Sequence, residues 1–102
     1  NLAFWRGHAG DAPEAVTELE ELLPVQERVQ GPEHPDTLTT RGNLAFWRGH
    51  AGDAPEAVTE LEELLPVRER VQGPEHPDTL TTRKNLATWH RKVDNADPDY
   101  PQ

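Results

Sequence analysis

The stretch Asn43-Leu44-Ala45-Phe46-Trp47-Arg48-Gly49-His50-Ala51-Gly52-Asp53-Ala54-Pro55-Glu56-Ala57 decides the reading of this chain. It holds the end of one helix, a turn, and the start of the next. Gly52 supplies the left-handed residue that closes a helix. Asp53 and Glu56 have the spacing of a capping box, in which two side chains satisfy free amides at a helix start. Upstream, Thr40, Leu44, Trp47 and Ala51 fall at i, i+4, i+7 and i+11, with Leu38 and Ala45 on an adjoining stripe. His34-Pro35-Asp36 opens that helix, since a proline in the first turn leaves no amide unpaired and Asp36 suits the positive end of the dipole. Downstream, Ala57, Val58, Leu61, Leu64, Leu65 and Val71 form one apolar face, and Gly73-Pro74 ends it. The spacing predicts a helix over 35–51, a one-residue turn and a second helix over 54–72.

The same stretch stands at Asn1–Ala15, and the match continues. Residues 1–42 and 43–84 differ only at Gln26 against Arg68 and Gly42 against Lys84. A third copy starts at Asn85 and gives way to Asp94-Asn95-Ala96-Asp97-Pro98. Such a period marks stacked repeats, because each unit must bury its apolar face on a neighbour. The expectation is five helices, over 2–9 (truncated), 12–30, 35–51, 54–72 and 77–93. Units at 1–42, 43–84 and 85–93 precede an acidic, proline-containing tail at 94–102. Pro24 and Pro66 lie inside the second helix of each unit, where a proline costs about 3 kcal/mol. The apolar pattern resumes beyond them, so one kinked helix is expected. In the third copy Phe46 is replaced by Thr88, Gly49 by Arg91 and His50 by Lys92, as a solvated terminal helix requires.

Composition narrows the function. The net charge of −9 disfavours nucleic acid and anionic lipid surfaces as partners. The absence of cysteine excludes disulfides, thiolate metal sites and thiol nucleophiles. No segment approaches the roughly 20 apolar residues that span a bilayer, and no leader is visible, so a soluble protein of the cytoplasm is expected. The chain has no methionine and starts within a repeat. With its near-identical units, it reads as an excised or designed array.

The motif Asn-Leu-Ala-x6-Gly-Asp-x-x-Glu-Ala, followed by a leucine-rich second helix, resembles the tetratricopeptide repeat. The unit length and the connecting Gly-Pro-Glu-His-Pro-Asp-Thr-Leu are similar to the kinesin-light-chain type and to long bacterial arrays. The resemblance covers residues 1–93. It implies an all-α, right-handed superhelical solenoid of antiparallel helix pairs, about two and a half repeats long. It implies packing roles for Leu44, Ala45, Gly52, Ala57 and Leu61. Arg41 and Arg48 depart from the family, standing where large aromatics are usual, and Leu64 stands where a small residue is usual; Trp47 is expected to supply the missing bulk. A concave peptide groove is implied along the first helix of each unit. Its lining would be Thr39, Gly42, Phe46, Gly49 and His50. Phe4, Gly7 and His8 would precede them, and Thr81, Lys84, Thr88, Arg91 and Lys92 would follow. That surface is partly apolar and turns basic toward the C-terminal end, which suits a peptide with an aromatic group and an acidic end. The family's carboxylate clamp needs Lys and Asn where Gly42 and Phe46 stand, and only Asn43, Lys84 and Asn85 fit it.

The remaining candidates weaken on inspection. Metal ligands converge at close spacing, and none of His8, His34, His50, His76 and His90 has a partner at His-x3-His. No metal or cofactor is expected. Thr39 and Thr40 stand near His34 without a third group to orient a base, and duplicated units offer like groups twice rather than unlike groups once. An enzyme is not expected. Trp5, Trp47 and Trp89 share the stripe of Leu44 and read as packing residues. Three roles stay open: a scaffold that binds a protein or peptide, a scaffold with no dedicated ligand, and a module that self-associates. The last would use Leu2, Phe4 and Trp5 at the N-terminal end to form a homo-oligomer.

Overall fold

A computed structural model describes residues 12–96, with side chains as far as Asp94. It contains four helices: α1 Ala12–Val29, α2 Pro35–His50, α3 Ala54–Gln72 and α4 Pro77–Ala96. The truncated helix expected over 2–9, with Phe4, Trp5, Gly7 and His8, lies outside the described residues. Each helix packs on the next, and α2 also touches α4. The architecture is all-α, a solenoid of helix pairs.

Two apolar layers hold it. One joins Ala12, Ala15, Leu19, Leu44 and Trp47; the other joins Leu38, Ala45, Ala57, Val58, Leu61, Leu64 and Trp89. Ala15, Leu19 and Trp47 in the first layer are the repeat equivalents of Ala57, Leu61 and Trp89 in the second. One contact set is thus built twice, which is how a solenoid distributes its core. Each large side chain so covered contributes about 1.5–3 kcal/mol of burial.

The helix starts differ from the sequence expectation. The Asp53 carboxylate makes no capping hydrogen bond. The Asp53 amide already donates to the Arg48 carbonyl at 2.9 Å, so the reciprocal bond from Glu56 has no donor to meet. The caps that do form are histidines. His34 Nδ1 accepts from the Asp36 amide at 3.0 Å, and His76 Nδ1 accepts from the Asp78 amide at 3.0 Å. An acceptor at this position satisfies an amide that the helix leaves free.

The ends are closed by glycine. Gly73, at φ 102°, donates to the Arg68 and Glu69 carbonyls, and Gly52, at φ 107°, follows the cap at Ala51. Ala51 therefore lies exposed outside α2 instead of extending its buried stripe. α1 and α3 run unbroken past Pro24 and Pro66. α4 continues to Ala96, three residues beyond the expected stop at 93, and takes in the start of the expected tail. The α1–α2 loop is tied to α3 by Arg70, whose guanidinium donates to both Glu33 oxygens at 3.1 and 2.6 Å. This pairing holds the Glu33 carboxyl below its usual range.

Candidate interaction surface

The α2–α4 seam carries most of the groove residues drawn from the resemblance. Its apolar end is a ring cluster. Phe46 lies edge-on to Trp47 at 4.8 Å and to His50 at 4.5 Å between ring centroids. His50 in turn meets the Trp89 ring at 5.3 Å, and the Lys92 ammonium stands 5.6 Å from the centre of the same indole. Partial burial, with the Lys92 charge added, holds the His50 imidazole below its ordinary pKa. Lys92 and Trp89 form a cation–π contact at this distance.

Gly49 does not line a groove. It is buried, and a methyl group there would stand 2.5 Å from Trp89 Cζ2. The absent side chain is what lets the Trp89 indole seat against α2. Helical spacing alone places the glycine on the surface, because it does not reveal that the next unit's tryptophan occupies that face.

Farther toward the helix starts, the seam opens into a cleft of about 140 Å³. Thr39, Gly42 and Asn43 of α2 face Asp78, Thr81, Thr82 and Asn85 of α4 across it, with Leu61 and Arg68 of α3 as the floor. Of the other expected positions, Phe46 and Thr88 are half-buried, while His50, Lys84, Arg91 and Lys92 are exposed. The packing candidates Leu44, Ala45, Trp47, Ala57, Leu61 and Trp89 are all buried.

Sequence reasoning misses two features of the cleft. It reads Arg68 only as a difference between units, although the residue is buried beneath the cleft. Asp78, the repeat copy of the first-turn Asp36, is not singled out by sequence at all. The Arg68 side chain is 5 % exposed, and its Nη1 donates to Gln72 Oε1 at 2.7 Å. Burial pulls its guanidinium below the ordinary arginine pKa; the nearby Asp78 charge opposes this, and the Arg41 charge adds to it.

A second cleft, of about 280 Å³, lies between α1 and α3 across α2. Leu23 and Leu44 contribute its apolar lining, and Arg48 pairs with both Glu20 and Glu60. The Arg48–Glu20 contact has a repeat equivalent in His90 and Glu62, 3.0 Å apart. Arg48, the departure from the family's aromatic, thus acts as a polar strut between outer helices. Among the described residues no group of three or more His, Cys, Asp or Glu could hold a metal ion, and no helix is long and apolar enough to cross a membrane.

Comparison with known proteins agrees with this architecture. The chain superposes on nearly identical TPR-like repeats assigned to a kinesin light chain of Podosopora anserina, with a TM-score of 0.84 and 28% identity. The superposition covers 93% of this chain and 45% of that one. A glutamine-to-methionine variant of those repeats gives a TM-score of 0.83 at 28% identity, again over 93% of this chain and 45% of the other. The chain therefore spans less than half the length of these structures. Curated proteins give no match. Residues 1–53 and 39–98 each match the tetratricopeptide repeat as a sequence family. With the seated Trp89, the doubled layers and the two overlapping matches all in agreement, this chain belongs to the tetratricopeptide repeat family.

Proposed function

We propose that this chain is a non-catalytic scaffold that binds a protein or peptide along the α2–α4 seam. The observation that carries the reading is the polarity of that seam. Phe46, His50 and Trp89 form an aromatic end, and a polar cleft with a cationic floor lies beside it. A strongly acidic molecule that presents such a surface suits a peptide with an aromatic group and an acidic segment. Thr39, Thr88, Arg91 and Lys92 belong to this surface by position, and Lys84 extends it on α4. Selection of random peptides on the chain, with Phe46→Ala as control, tests the reading. Enrichment on the parent that is lost in the variant is the expected result. Absence of enrichment leaves a scaffold with no dedicated ligand.

A second reading is self-association, and one observation favours it. Leu22, Val25 and Val29 form an exposed apolar stripe on α1. Their repeat equivalents in α3 are Leu64, which is buried, Val67, which is half-covered, and Val71. The stripe has the chemistry of a face that this fold covers with a helix of its own sequence, and a second copy of the chain offers such a helix. Sedimentation over a concentration series should then show a dimer that dissociates on dilution. A monomer throughout removes this reading.

A further inference from the structure

We propose that the cleft between α2 and α4 receives one acidic side chain of a bound peptide, an Asp or a Glu, on the guanidinium of Arg68. The proposal rests on the seam being a peptide-binding surface, and it names the group recognised there and the residue that recognises it. Arg68 is not among the positions that the resemblance implies for the groove. It comes from α3, behind the seam, and reaches the cleft from below.

The case is one of incomplete charge compensation. A buried cation is costly unless paired and fully hydrogen-bonded. Among the described residues the one hydrogen-bond acceptor on the Arg68 guanidinium is neutral, the Gln72 Oε1. The nearest carboxylate is Asp78, with Oδ2 3.6 Å from Nη1, too far for a hydrogen bond. That oxygen also accepts from Gln72 Nε2 at 3.3 Å, and its side chain is 48% exposed. Among the described residues the buried Nε has no hydrogen-bond partner, and the Arg41 charge lies close enough to disfavour the cation. Above this floor Thr39, Asn43, Thr81 and Asn85 give the walls neutral polar groups. Asp78 is the one acidic residue of the lining and the competitor that an incoming carboxylate must outweigh. The cleft volume of about 140 Å³ admits a side-chain carboxylate.

The repeats supply the contrast. At the equivalent place the preceding unit carries Gln26, whose amide oxygen accepts from the Thr40 hydroxyl. Both differences between the otherwise identical units change a neutral residue into a cation, and of the two only Arg68 lines this cleft. Gly42 complements it: a side-chain carbon there would lie 3.8 Å from Arg68 Nη2, so the glycine keeps the guanidinium uncovered on that side. An acid-preferring position is thereby fixed at one register of a repetitive surface.

The test selects random dodecamers on the parent and on Arg68→Gln, which installs the residue already present at position 26. The thermal melt of the variant, followed by circular dichroism, verifies that it is folded. Selected peptides are synthesised with each acidic residue in turn replaced by its amide, and binding is read by fluorescence anisotropy. One acidic position should be enriched on the parent and lost on Arg68→Gln. Its replacement should weaken binding to the parent about tenfold and leave binding to the variant unchanged. Asp78→Asn, a second variant, should tighten binding of the acidic peptide to the parent background. Equal acidic content in both selections, with no coupling between the two replacements, overturns the role of Arg68 and leaves the peptide surface standing. Weaker binding by Asp78→Asn also counts against it. Selections that yield no binding peptide remove both the subsite and the surface.

Discussion

α1 and α3 have the same sequence except at Gln26 and Arg68, yet their burial differs. Leu22 on α1 is 39% exposed, while Leu64, its copy on α3, is 1% exposed. Val29 is 71% exposed against 37% for Val71. Leu19 and Leu61, by contrast, are both 1% exposed. The last pair faces the helix that follows in the chain, which both copies have. The first two pairs also depend on a neighbour from the other side, and α3 has that cover in α2 and α4 together. Among the described residues α1 packs chiefly on α2. Sequence therefore sets which faces are apolar, and position in the stack sets how much each face contributes.

Paired truncations give the largest test of this comparison. Leu64→Ala should cost about 2–5 kcal/mol in urea or thermal unfolding, and Leu22→Ala about 1 kcal/mol or less. Equal losses would break the argument that stacking, not sequence, sets the contribution. The two glycines of α2 sharpen it next. Gly49→Ala should destabilise by about 1–3 kcal/mol, because its methyl group would overlap the Trp89 indole. Gly42→Ala meets nothing closer than 3.6 Å, so the better helix propensity of alanine should raise stability by about 0.5–1 kcal/mol. Opposite signs from one substitution in one helix would locate the close approach of α2 and α4.

The histidine caps set a smaller control. His34→Ala and His76→Ala should each cost about 1 kcal/mol, and by like amounts, because both caps rest on local geometry that stacking does not alter. The smallest effect concerns protons. Burial and Lys92 lower the folded-state pKa of His50 below the ordinary histidine value of 6.5. The folded chain then binds that proton less readily than the unfolded chain. The contribution is complete above pH 6.5 and is lost as the pH falls through the folded value. Lys92→Gln should move the His50 ring titration upward by NMR, and an unchanged titration would remove Lys92 as a cause.

The helix pattern was legible because its signals are local. Glycine stops, first-turn prolines and the apolar stripe place α3 at the bounds observed, and the uninterrupted pattern beyond Pro24 and Pro66 is enough to read one helix through each. The capping box fails because the Asp53 amide is taken by the turn that leaves α2, a bond that residue spacing does not encode. The histidine caps escape because histidine is not among the usual capping residues, although the recurring His-Pro-Asp places an acceptor at the right point. Gly49 and Arg68 share another cause. Each takes its role from an adjacent helix, the first from Trp89 and the second from the walls of the cleft, and one-dimensional spacing carries no record of such neighbours.

The prolines of the outer helices have one more consequence. Pro66 has no amide hydrogen to give the Glu62 carbonyl, and Pro24 none for Glu20, so a rung of each helical ladder is missing at the same level. Amides just past these gaps should exchange with solvent deuterium sooner than those of the N-terminal half, because fewer bonds must break for the last turns to open. In α3 those turns carry Arg68, so the floor of the seam belongs to the part of the helix that opens first.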